Sequence, residues 1–112
     1  MIEKQVIKYL NELHIPAYME EPKEKPSEYV VLESIDNGRT NYIDAVTLNI
    51  TCYSTSLQKA AELNQRVKEA MYDIVSINNI SSSKCGGGGQ DIDTSTKRYA
   101  YYSIFNLYYT EE

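Results

Sequence analysis

The sequence predicts an α+β domain, with helices on one side of an antiparallel sheet in the order α-β-β-α-β-β. Residues 2–13 and 56–75 repeat apolar side chains at helical spacing. Asn41 to Tyr53 alternates apolar and polar residues at period two. The stretch Arg98 to Tyr109 is strand-like and apolar or aromatic on both faces. At 112 residues the chain is one domain, residues 1–112, long enough to bury a core if helices and sheet pack as layers. The expected sheet has about four strands in two hairpins, with both helices on one face.

In the first helix Ile2, Val6, Tyr9, Leu10 and Leu13 share a side, with Glu3, Lys4, Lys8 and Glu12 elsewhere. Pro16 ends it, and Tyr18 and Met19 follow as a short extended piece. Glu21-Pro22-Lys23-Glu24-Lys25-Pro26 is a polar loop whose prolines exclude regular structure. Glu28 to Ile35 reads as a strand, and Asp36-Asn37-Gly38-Arg39 as the turn of a hairpin. In the returning strand Val46, Leu48, Ile50 and Cys52 share the face expected to meet the helices. Ala45, Thr47, Asn49, Thr51 and Tyr53 share the other.

Thr55-Ser56-Leu57-Gln58 fits a capping box, with Thr55 as N-cap and Gln58 at the third helical position. Leu57, Ala60, Leu63, Asn64, Val67, Ala70, Met71 and Ile74 line the inner side of the second helix. Residues 76–84 read as a polar strand or loop, Cys85 to Gly89 as a flexible connection, and Gln90 to Thr94 as a short extended piece. In the last strand one face carries Tyr99, Tyr101, Ser103, Phe105, Leu107 and Tyr109; the other carries Ala100, Tyr102, Ile104, Asn106 and Tyr108. The chain holds eleven Tyr, one Phe and no Trp. Tyrosine joins an apolar ring to a wet hydroxyl, which suits contact surfaces. Two readings follow: a strand that packs against other subunits, or a sheet with one face under helices and tyrosine tips in water.

Formal net charge is −5, with acids at Glu20, Glu21, Glu24, Glu28, Glu111 and Glu112. That balance argues against a surface that grips nucleic acid through its phosphates. Neither a signal peptide nor a membrane span is expected, and the cytosol is the expected compartment. Cys52 and Cys85 are too few for a disulfide framework or zinc site; Cys52 reads as a small buried hydrophobe.

The four glycines lack the Lys-Ser/Thr pair and helix of a phosphate loop. Asp91-Ile92-Asp93 puts two carboxylates on one strand face without a third ligand, and edge charges explain it better. His14, the only histidine, sits at a helix end with no nucleophile around it. Lys97-Arg98 is too small a basic patch for a nucleic-acid footprint. No catalytic, cofactor-binding or metal site is expected, and the chain reads as not an enzyme.

Several segments together carry a resemblance. They are Leu13-His14-Ile15-Pro16-Ala17-Tyr18, Glu28-Tyr29-Val30-Val31-Leu32-Glu33, the passage Asp44 through Ala61, the glycine-rich stretch, and Arg98-Tyr99 opening a long final strand. Over essentially its whole length the chain resembles the small tail-terminator (tail completion, or head–tail joining) proteins of long-tailed phages and prophages. The resemblance implies a ring homo-oligomer, typically a hexamer. Its partners would be the tail-tube protein and the head-connector or neck protein. Its place would be the head–tail junction of the virion, reached from the host bacterial cytoplasm, with DNA passing the lumen without specific binding. The alternatives are another neck component, such as a head-closure or minor capsid protein, or a cytosolic adaptor whose aromatic strand captures a peptide by β-augmentation. Candidate interface residues are Asp36, Asn37, Gly38 and Arg39 in the turn, Gly86, Gly87, Gly88 and Gly89 in the glycine run, and Tyr102 and Tyr108 in the last strand.

Overall fold

The computed structural model describes residues 1–40, 42–93 and 98–110. Asn41, Thr94, Lys97, Glu111 and Glu112, which entered the readings above, lie outside them, as do the side chains of Ile92 and Asp93. In chain order the elements are α1 (Ile2–Glu12), β1 (Ala17–Tyr18), β2 (Tyr29–Thr40), β3 (Ile43–Ser54), α2 (Leu57–Asp73), a 3₁₀ turn (Ile74–Ser76), β4 (Ile80–Asp93) and β5 (Arg98–Tyr109). The class is α+β as expected. The sheet, however, has five strands in the order β1-β2-β3-β5-β4. It is mixed, because β1 pairs parallel with β2.

Alternation in β3 sets the layers. Val46, Leu48, Ile50 and Cys52 are all buried, as are Ser103, Phe105 and Leu107 of β5. Directly opposite pairs on this face are Val46–Leu107, Leu48–Phe105 and Ile50–Ser103. Ile2, Val6 and Leu10 of α1 and Leu63, Val67 and Met71 of α2 join the same core. Both helices therefore cover one face. Tyr9 links them, its hydroxyl donating to Ala70 O at 2.7 Å. Across the core's end, Gln5 and Asn79 exchange amide hydrogen bonds of 2.6 and 2.9 Å. The Cys52 thiol lies 3.8 Å from Asn64 Oδ1, and burial pushes its pKa up to about 12. A thiol so held is packing rather than chemistry.

Four local readings are corrected. The cap of α2 is Ser56, whose Oγ accepts from Lys59 N at 3.2 Å; Gln58 instead reaches Glu62 one turn on. Leu13, placed on the inner side of α1, is exposed. Asp36 to Arg39 is not a turn but the outer half of β2, paired through Asp36–Thr47, Asn37–Val46, Gly38–Ala45 and Arg39–Asp44. The Asp-Asn-Gly signal is local, and a continuous ladder to β3 overrides it. Nor is Gly86 to Gly89 a flexible connection: it lies within β4. The pairs Gly87–Ile104, Gly88–Ser103 and Gly89–Tyr102 hold it to β5.

The end of α1 is closed by backbone alone. His14 N–H donates to Asn11 O and Ile15 N–H to Leu10 O, each at 3.0 Å. This is the Schellman arrangement, with Leu10 and Ile15 buried against the core as its apolar pair. Its left-handed position, usually glycine, is taken by His14 at φ 63°. A Cβ there is a steric cost. His14→Gly should therefore stabilise the chain by about 0.5–1 kcal/mol, seen as a higher urea midpoint with an unchanged slope. Unaltered or reduced stability would show that His14 makes a compensating interaction.

Candidate interaction surfaces

The helices leave uncovered the opposite sheet face, the outer end of the β2–β3 hairpin, and the sheet edges. The open face is built by side chains that alternate with the core set. Val31 and Glu33 come from β2, Thr47 and Thr51 from β3, and Tyr102, Ile104, Asn106 and Tyr108 from β5. Thr47 Oγ1 donates to Asn106 Oδ1 at 2.8 Å across the strands. Most of these residues are half-buried by their neighbours, while Tyr108 is 49% exposed. Asn49 Oδ1, on the same face, is shielded without a hydrogen-bond partner.

At one end this face is covered by the chain itself. Tyr29 is fully buried, stacked on Tyr53 with ring centroids 4.9 Å apart. The Arg98 guanidinium lies 5.3 Å from the Tyr29 ring centroid. The Tyr29 hydroxyl donates to Glu21 Oε1 at 2.8 Å, and Lys25 Nζ approaches the same oxygen at 3.2 Å. These contacts fasten the polar loop before β2. They hold the Glu21 carboxyl below its ordinary range, the Tyr29 hydrogen bond first and Lys25 second. Burial, then Glu21, raises the Tyr29 hydroxyl.

The glycine run serves the open face. A Cβ on Gly89 would meet the Tyr102 ring at 3.4 Å, so the tyrosine lies across the glycine and is half-buried there. A Cβ on Gly88 would come within 2.6 Å of Tyr102 O, a backbone atom that cannot yield. Gly87 takes φ 155° beside the bulge between Cys85 and Gly87. These glycines are thus structural, and their edge strand is exposed at Gly86 to Gly88.

The structure brings part of the expected set together. Asp36, Asn37 and Gly38 line a shallow hollow of about 210 Å³ with Asn106 and Tyr108, across β3. Arg39 points its guanidinium to Asp44 (3.8 Å) and over the Tyr42 ring (6.0 Å). Gly89 and Tyr102 form a separate cluster along β5. The sequence reading missed Tyr42 and Ile43, 84% and 43% exposed at the hairpin's outer end, and Ile35, 55% exposed at the bulge midway along β2. With the turn misplaced, these residues were read as strand interior. β5 is paired on both sides, by β3 and β4, so the aromatic strand has no edge to offer a peptide.

Among the described residues, no three or more His, Cys, Asp or Glu side chains gather where they could hold a metal ion. No helix among them is long and apolar enough to cross a membrane. The chain matches no protein-family model, and a search of curated proteins finds no match.

Two predictions follow from these surfaces. Gly88→Ala should destabilise the chain by about 1–3 kcal/mol, because the new methyl overlaps a carbonyl of β5. Gly38→Ala, which meets nothing within 4 Å, should stay within about 0.5 kcal/mol of wild type. Equal urea midpoints for the two variants would refute the close approach of β4 to β5.

The Tyr29–Glu21 pair sets a pH window. A carboxyl lowered in the folded state contributes stability above its unfolded value near 4.5. That contribution is lost as pH falls through the lowered folded value. A raised tyrosine contributes below its unfolded value near 10.0 and loses it as pH rises through the raised one. Tyr29→Phe should flatten the stability profile at both ends while keeping the ring stack, measured by urea unfolding across pH. Glu21→Gln should remove the acid-side slope; a slope unchanged in both variants would exclude the pair as its source.

Proposed function

We propose that this chain is a structural subunit of a long-tailed phage or prophage: a tail terminator that assembles as a ring, typically a hexamer, on the head-proximal end of the tail tube. There it ends tube polymerisation and offers a docking face to the head connector. The observation that carries the reading is the placement of aromatic and apolar side chains outside the core. Tyr108 stands on the open face, Tyr42 and Ile43 at the hairpin end, and Ile35 at the bulge midway along β2. The molecule measures 44 × 24 × 24 Å, elongated for its size. Such exposure in a small chain marks protein contact.

The net charge of −5 fits a lumen that repels phosphate and lets duplex DNA pass. Binding to double-stranded DNA should accordingly be weak; tight, salt-sensitive binding by the purified protein would contradict this role.

Removing the protein from an assembling phage should leave tail tubes longer than wild type and heads unjoined, as counted by negative-stain microscopy. Tubes of normal length that fail to join heads would assign it to head closure instead. Tyr108→Ser should keep the melting temperature within about 2 °C of wild type, as expected for an exposed site. The same variant should lose in vitro tail joining. A large melting shift with intact joining would return Tyr108 to the fold.

A further inference from the structure

The outer end of the β2–β3 hairpin has a counterpart elsewhere on the same chain. Between α1 and β1 runs an open groove of about 710 Å³, with Ile7, Ala17, Tyr18 and Met19 as its apolar lining and Lys4, Lys8, Asn11 and Glu12 as its polar lining. Met19 is 45% exposed on its wall. Among the described residues no carboxylate pairs with Lys4 or Lys8. The hairpin bears the reciprocal features along its length: exposed Tyr42 and Ile43 at its end, and Ile35, Glu33 and Asp36 along β2, the two acids likewise pairing with no cation among the described residues. Apolar meets apolar, and a groove whose two lysines outnumber its one acid, Glu12, meets a strand carrying two acids.

The hairpin cannot fill its own groove. Tyr18 sits opposite Val31 on β2. From there β2 runs on past the bulge at Ile35 to Thr40, up to about 30 Å at roughly 3.3 Å per residue. Eleven registered pairs to β3 hold it there. The occupant must come from another molecule.

We propose that the hairpin end of one copy, with Tyr42 and Ile43 leading, docks into the α1–β1 groove of a second copy, Glu33 and Asp36 facing Lys4 and Lys8. The contact joins two different patches and is therefore head-to-tail, the kind that closes into rings or runs on as filaments according to its rotation. It names the subunit contact of the ring proposed above and rests on that reading only for closure.

Cysteine trapping tests it. In a Cys85→Ser background, Cys52 being buried, chains carrying Tyr42→Cys and Met19→Cys are mixed at high concentration and mildly oxidised. The same pair is examined in isolated tails. The mixed disulfide should exceed either like-with-like product several-fold, and a chain bearing both cysteines should give a ladder of multimers. Lys4→Glu with Lys8→Glu should suppress the mixed product, and Glu33→Lys with Asp36→Lys on the other chain should restore it. Like-with-like products in equal yield, or no product above that of an exposed Tyr72→Cys control, would overturn the contact. Rings that form without it would leave the terminator reading standing. A ladder of the expected product, beside tails whose length and joining ignore the protein, would overturn the terminator reading and leave the contact.

Discussion

The pairing of β3 with β5 is the constraint on which the rest of the structure depends. These strands are far apart in the chain, yet they run side by side from Asp44–Tyr109 to Ser54–Tyr99 without a register shift. Side chains alternate between faces, so this one register assigns every residue of both strands to core or open face. Leu48 and Phe105, opposite one another and fully buried, become the centre on which both helices settle. Tyr72 of α2 packs its ring edge on Phe105, with centroids 5.4 Å apart. A slip of one residue between them would set Thr47 and Asn49 on the same face as Phe105 and Leu107, mixing polar and apolar side chains on both faces, which no helix placement could repair.

That dependence explains which parts of the fold were legible. β3 displays its period in its own residues, so its faces could be read directly. The helices were legible for the same reason at period 3.6. The glycine run was not, because glycine has no side chain with which to display a period. Its strand character comes wholly from β5, a partner that local reading does not consult. The hairpin turn failed in the opposite sense. Asp-Asn-Gly carries a strong local signal, but β3 had further residues to offer, and the ladder continued past it. Of the candidate interface residues, Tyr108, Asp36 to Arg39 and Gly86 to Gly88 are exposed, while Gly89 and Tyr102 are half-buried. Tyr42 and Ile43 were hidden by the turn that replaced them.

The two edges of the sheet are managed differently. On β4 the ladder is broken by bulges near Ser81 and Gly86, and Lys84 and Asp91 are exposed along it. Bulges and charges of this kind discourage a stray strand from adding on. On the other side β1 covers only Val30 and Val31, and beyond it the outer half of β2 continues with a bulge at Ile35. The chain therefore blunts one edge with irregularity and carries the other outward on a hairpin. On the proposed role, contact then falls to side chains at the hairpin end and on the open face, rather than to free backbone groups.

The use of tyrosine follows from the same division. Of eleven tyrosines only Tyr29 and Tyr109 are buried. The aromatic rings of the core cluster are Phe105 and Tyr109, among mostly aliphatic neighbours. The others sit at boundaries: Tyr9 between helices, Tyr18 in the groove, Tyr42 at the hairpin end, Tyr102 and Tyr108 on the open face. Leucine or phenylalanine at those places would leave a contiguous apolar surface in the free subunit, with aggregation as the consequence. A tyrosine keeps its hydroxyl hydrated while the subunit is alone and still presents a stiff ring when a partner arrives, at small entropic cost. On the proposed role, a chain that is soluble before assembly and adhesive during it is driven towards tyrosine at its boundary positions. This accounts for a composition rich in tyrosine and devoid of tryptophan without any catalytic role for the phenols.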